Sequence, residues 1–132
     1  MLLNSEPIAE DLGKLLLRVA AGGGMLWQHG WGKLMHFSDA AKDFDDPFGL
    51  GPTVSLVMIV FAETLCALLV GLGLWTRIST VPLIIGMAVA AFISNSGDPF
   101  GAGEKALVYM AIYLAIFFIG SGRFSLDRLK FQ

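Results

Sequence analysis

Three stretches of this chain are apolar for nearly their whole length: Thr53–Trp75, Ile78–Ile93 and Glu104–Ile119. Each approaches the ~20 residues that an α-helix needs to cross the ~30 Å hydrocarbon core of a bilayer. In that core only helices and closed barrels satisfy every backbone N–H and C=O. Runs of this kind predict an all-α integral membrane protein. A further apolar stretch, Leu12–Met35, carries Lys14, Arg18, three consecutive glycines (Gly22, Gly23, Gly24), Gln28, His29 and Lys33. Counted as a span, it completes a four-helix up-down bundle. At 132 residues the chain has room for one domain, expected over 1–132.

Composition agrees with this reading. Hydrophobic residues make up 55% and charged residues 15%, below the ~25% charged share of a soluble domain. Mean hydropathy is +0.70. With a net charge of -2 and no basic block, no nucleic acid partner is expected. Cys66 is the single cysteine, so no disulfide forms within the chain. The segment from Met1 to Pro7 has no basic character, so the first apolar stretch is expected to be a retained span and not a cleaved signal peptide.

The connections are polar. Residues 36–52 contain Asp39, Lys42, Asp43, Asp45 and Asp46, closed by Pro47, Gly49, Gly51 and Pro52. The three late acids lack the glycine and spacing of an EF-hand loop and read as a solvated loop. Trp75-Thr76-Arg77 reads as a tight turn, with Pro82 in the first turns of the next span, where proline is tolerated. Asn95–Gly103 forms the next connection, and Gly120-Ser121-Gly122 ends the last span. The tail from Arg123 to Lys130 has a basic and an apolar side, suited to a membrane surface. With the N-terminus inside, the cytoplasmic side carries Lys14, Arg18, Arg77, Arg123, Arg128 and Lys130, against Lys33, Lys42 and Lys105 outside. That bias places both termini in the cytoplasm. Trp27 and Trp31 near one boundary and Trp75 near the other fit interfacial belts.

On a helix, Arg18, Gly22, Met25, His29, Lys33 and His36 share one stripe of the first span. At ~1.5 Å per residue, His29 and Tyr109 lie about 9 Å below the outer boundary. Glu63 and Tyr113 lie level with Gly24 and Met25, about 14–15 Å down, and Arg18 at roughly 25 Å. A carboxylate at that depth should face the bundle interior, paired or protonated. Lys105, Tyr109 and Tyr113 form a stripe on the last span. These levels predict a polar pocket opening outward, lined by His29, Lys33, Glu63 and Tyr109, with Lys105 and Tyr113 close by.

Each residue also has a plainer reading. Glu63 would equally serve as a structural partner of Arg18 or His29, holding two helices in register. A lone histidine in a span is often hydrogen-bonded between helices, and the tyrosines suit packing. The triple glycine most often marks close helix packing. His29 and His36 stand about 10 Å apart along the axis, too far for a metal pair on one helix. Neither metal nor haem is therefore expected within the chain. Cys66, one turn past Glu63, is expected to be inert.

Taken in order, Leu15-Leu-Leu-Arg18, His29-Gly-Trp-Gly-Lys33, Glu63, Leu72-Gly-Leu-Trp-Thr-Arg77, Glu104-Lys-Ala-Leu and Gly120-Ser-Gly-Arg-Phe-Ser-Leu-Asp127 resemble the DoxX family. The likeness runs from Leu15 to Leu129. The resemblance implies a small four-helix membrane protein with a role in redox chemistry, with quinone as the cofactor. It also implies that Arg18, His29, Lys33, Glu63 and Glu104 are the family's polar positions. The leading expectation is a quinone-interacting subunit of a membrane oxidoreductase. In it Glu63 and His29 exchange protons with a quinone head group, while Arg18, Lys33, Glu104, Lys105, Tyr109 and Tyr113 bind the ligand. The chain shows no electron carrier of its own, so a larger redox complex or a soluble redox partner would supply electrons. Two alternatives stay open: an accessory or assembly subunit of a larger membrane complex, and a small proton-coupled transporter using Glu63. A homo-oligomer fits any of them.

Overall fold

A computed structural model of the chain describes residues 3–38, 49, 51–94, 97–98, 101 and 103–131. The acidic connection Asp39–Asp46 lies outside the described residues. Among these residues every regular element is helical, and no strand occurs. Helix α1 runs over Glu10–Met25, passes through a π-helical turn at Leu26–Gly30, and continues as Trp31–Met35. Helix α2 has the same build: Pro52–Phe61, a π turn at Ala62–Cys66, then Ala67–Leu72. Helix α3 spans Thr76–Val89 and ends in a π turn at Ala90–Ser94. Helix α4 is Glu104–Ile119, and a short α5 covers Leu126–Phe131.

Two helices, Pro52–Leu72 and Thr76–Ile93, are long and apolar enough to cross a membrane, with mean hydropathies of 2.3 and 1.8. The 16 residues of α4 reach about 24 Å at 1.5 Å each. The outward faces of all four long helices are apolar: Leu16, Val19, Phe61, Leu68, Ile85, Val108 and Phe118 are all exposed. A patch of that extent is what lipid contact requires.

Small residues let α1 and α2 close up. A Cβ on Gly22 would stand 2.5 Å from the Ala67 carbonyl oxygen, and one on Gly30 would overlap the backbone carbonyl of Glu63. Gly22 faces the late part of α2 and Gly30 its middle, so the two helices run antiparallel. The core between them and the other pair contains Met25, Ala67, Val70, Leu83, Tyr113 and Ile116, all fully buried.

The turn after α2 differs from the sequence expectation. The helix stops at Gly73, whose φ of 74° is a left-handed conformation that glycine adopts without strain. Trp75 is also left-handed, with φ 49°. Thr76 then opens α3 instead of sitting within the turn. Pro82 lies beyond the first turn, inside α3; its missing N–H removes one ladder bond, yet the helix continues.

Candidate functional site

The three π turns meet at one place. His29 belongs to that of α1, Glu63 to that of α2, and Ala90 to that of α3. Each widened turn shifts the side chains that follow it relative to a regular helix, and such turns gather at functional sites. In α2 the turn is accompanied by Thr64, whose Oγ1 donates to the carbonyl of Val60 at 2.5 Å. That back-bond competes with the regular ladder and loosens it locally.

Between the turns lies a cavity of about 180 Å³. Its polar lining is His29, Lys33, Glu63, Lys105 and Tyr109; Met25, Met87, Ala90 and Ala106 form the rest. Glu63 is only 3% exposed. Lys33 Nζ donates to both of its oxygens, at 2.6 Å to Oε1 and 3.0 Å to Oε2. The carboxylate is thus held by a two-pronged, charge-assisted contact. The His29 ring stands edge-on to Tyr109, with centroids 5.8 Å apart and planes at 88°. Tyr109 in turn stacks on Tyr113 at 6.0 Å.

Several residues singled out from the sequence converge here and others do not. His29, Lys33, Glu63, Lys105 and Tyr109 share the cavity. Tyr113 is fully buried behind Tyr109, and its hydroxyl donates to the Ala21 carbonyl at 2.9 Å. It supports the wall and does not line the cavity. Glu104 lies outside, in a groove described below. Arg18 is at the opposite end of the bundle: it donates to the carbonyls of Gly71, at 3.1 Å, and Phe124. Glu63 therefore takes Lys33 as its ion partner, where the sequence suggested Arg18 or His29.

The depth levels also shift. Glu63 lies beside Gly30, not beside Gly24 and Met25. Gly24 faces the Tyr109 hydroxyl instead. From Gly30 to Met35 α1 extends ~8 Å outward, whereas from Glu63 to Pro52 α2 extends ~16 Å. Helix α2 thus reaches about 8–9 Å further than α1, and the assumption that both begin at one level fails.

A second feature adjoins the cavity. A groove of about 510 Å³ runs along the outside of the bundle between α1 and α4. Leu17, Ala20, Val108 and Ile112 line it, and Glu104 and Lys105 stand at its polar end. Tyr109 and Lys105 belong to both groove and cavity. The groove is not anticipated in the sequence, since its wall is built of ordinary apolar residues. Met87 and Ala90 carried no signal of a site, because nothing distinguishes them from ordinary core residues. Among the described residues no three His, Cys, Asp or Glu side chains gather closely enough to hold a metal ion.

No curated protein and no solved structure matches the chain. Residues 13–96 match DoxX; the matched stretch holds Arg18, His29, Lys33 and Glu63, and leaves Glu104, Lys105 and the tyrosines outside it. That stretch covers well over half of the sequence, the helices are apolar on their outer faces, and the chain belongs to the DoxX family of membrane proteins.

Proposed function

We propose that this protein is a quinone-interacting subunit of a membrane oxidoreductase, spanning the bacterial inner membrane as a four-helix up-down bundle with both termini in the cytoplasm. The observation that carries the proposal is the junction of a small polar cavity with a long apolar groove at Tyr109 and Lys105. An isoprenoid quinone has that division: one polar ring and an apolar tail. A cavity of about 180 Å³ is below the ~300–1,000 Å³ of sites that enclose drug-sized ligands, and suits a single ring whose tail lies elsewhere. The ring would lie among His29, Glu63 and Tyr109, and the tail along Leu17, Val108 and Ile112.

A quinone supplies two-electron, two-proton redox chemistry. This chain would bind and orient it and manage protons. The Tyr109 hydroxyl would donate a hydrogen bond to a ring oxygen. Glu63 and His29 would hold the exchangeable protons, and Lys33 would keep the buried carboxylate compensated between turnovers. Lys105 stands at the junction and favours an electron-rich ring oxygen there. Electrons would come from a partner subunit or a soluble redox protein.

The test is decylubiquinone binding to the purified protein in lipid nanodiscs, followed by native mass spectrometry. Saturable binding of one molecule is expected. Tyr109→Phe and His29→Gln should each weaken it about tenfold, equivalent to ~1.4 kcal/mol. Absence of saturable binding by folded protein, alongside co-purification with a larger complex, would replace this reading with that of an accessory subunit.

A further inference from the structure

The opposite end of the bundle holds a second polar cavity, of about 530 Å³, unrelated to the quinone reading. It opens where α1 and α3 begin and α4 ends. Lys14, Arg77, Arg123 and Arg128 line it. Two acids are also present, and both are already engaged. Asp127 accepts from the backbone N–H of Trp75 at 2.6 Å and of Thr76 at 3.0 Å, and from the Thr76 hydroxyl at 2.7 Å. Asp11 accepts from the backbone N–H of Arg123 at 3.0 Å. Among the described residues none of the four cations has a carboxylate within ion-pair distance. Among the described residues the guanidinium of Arg77 spends only its Nε–H, on the Phe117 carbonyl at 2.9 Å.

Backbone donors add to the positive character. Arg77 and Ile78 lie in the first turn of α3, where N–H groups have no intrahelical acceptor. Gly120 and Gly122, both at φ 84°, form part of the wall and keep it free of side chains. Two large apolar side chains on its wall are exposed: Ile78 at 76% and Trp75 at 47%. A cationic hollow rimmed by exposed apolar side chains fits an anionic group that brings hydrocarbon with it.

We infer that this cavity binds the phosphodiester head group of an anionic membrane phospholipid. Arg123 and Arg128 contact the phosphate, Lys14 and the first turn of α3 complete its surroundings, and the acyl chains run over Ile78 and Trp75. The shared chemistry is a phosphate group, which a soluble phosphate would also offer; the apolar rim favours the lipid.

The experiment is native mass spectrometry of the full chain in neutral detergent, titrated with phosphatidylglycerol, phosphatidylcholine or inorganic phosphate. One phosphatidylglycerol is expected to bind, weakening as salt rises, with little retention of phosphatidylcholine. The double variant Arg123→Gln/Arg128→Gln should bind phosphatidylglycerol roughly 30-fold more weakly, at about fivefold per arginine. Should the double variant fail to fold, Arg123→Gln alone carries the test at about fivefold. Equal retention of both lipids overturns the inference. So does unchanged affinity in a folded variant, or inorganic phosphate binding as tightly as the lipid.

Discussion

The Lys33–Glu63 contact is the clearest case of one residue answering for another. Glu63 is buried, and an unpaired carboxylate at that depth is costly. Lys33 reaches it from the next stretch of α1, with its own side chain 31% exposed. Replacing Lys33 by Met should therefore cost roughly 3 kcal/mol, because it leaves a buried charge behind. The double variant Lys33→Met/Glu63→Met should recover most of that loss, since an apolar pair of similar volume is close to neutral. Thermal unfolding in detergent reads both. Decylubiquinone binding separates structure from function: the double variant should stay folded and still bind poorly. Arg18 presents the opposite situation. It is 1% exposed, its partners are two carbonyls, and its Nε has no acceptor among the described residues. The family resemblance placed it among the ligand-binding residues; its contacts here are those of a strut between α1, α2 and the C-terminal segment.

Among the elements, the glycines of α1 separate by what faces them. Gly22 and Gly30 touch the α2 backbone, whereas Gly23 and Gly32 have nothing within 4 Å of an added Cβ. Gly22→Ala and Gly30→Ala should lower the melting temperature of the purified protein, because backbone cannot move aside as a side-chain tip can. Gly23→Ala and Gly32→Ala should raise stability by about 0.5–1 kcal/mol through helix propensity alone. The sequence made the helical segments legible, since apolar length and polar breaks are local properties. It also suggested that a glycine cluster meant close packing, without saying which member. That choice depends on the rotation of α1 against α2, a relation that no single helix encodes. The same limit explains the misplaced depth of Glu63. Spacing along one helix is fixed by its rise, but the offset between helices is set by Gly30 meeting the Glu63 backbone and by the π turns. His29, Lys33 and Tyr109 were legible because polar groups in an apolar span must face inward; Met87 and Ala90 were not.

Across the whole molecule, the C-terminal segment acts as a clasp on the end opposite the cavity at the π turns. Asp127 caps the start of α3 with its carboxylate, while its own N–H donates to the Gly73 carbonyl at 2.7 Å. Phe124 gives its carbonyl to Arg18, and Arg123 gives its N–H to Asp11. Ser125 closes the turn by donating to the Gly122 carbonyl at 2.8 Å. Helix α1, the end of α2 and the start of α3 thus converge on the short segment that follows α4, and the first and last helices of the chain are held at the same end. The side-chain cap is long-range: Asp127 does at α3 what a neighbouring Ser or Asp does at an ordinary N-terminus, where loss costs ~0.5–2 kcal/mol. Here the carboxylate accepts three hydrogen bonds, so Asp127→Ala should cost about 2–3 kcal/mol. Asp127→Asn, which keeps one acceptor oxygen, should cost less. Both should leave decylubiquinone affinity within about twofold, because the clasp and the cavity lie at opposite ends and independent sites add. A large loss of quinone affinity in folded Asp127→Ala would mean that the two ends are coupled, with the packed helices carrying a shift from the clasp to the π turns.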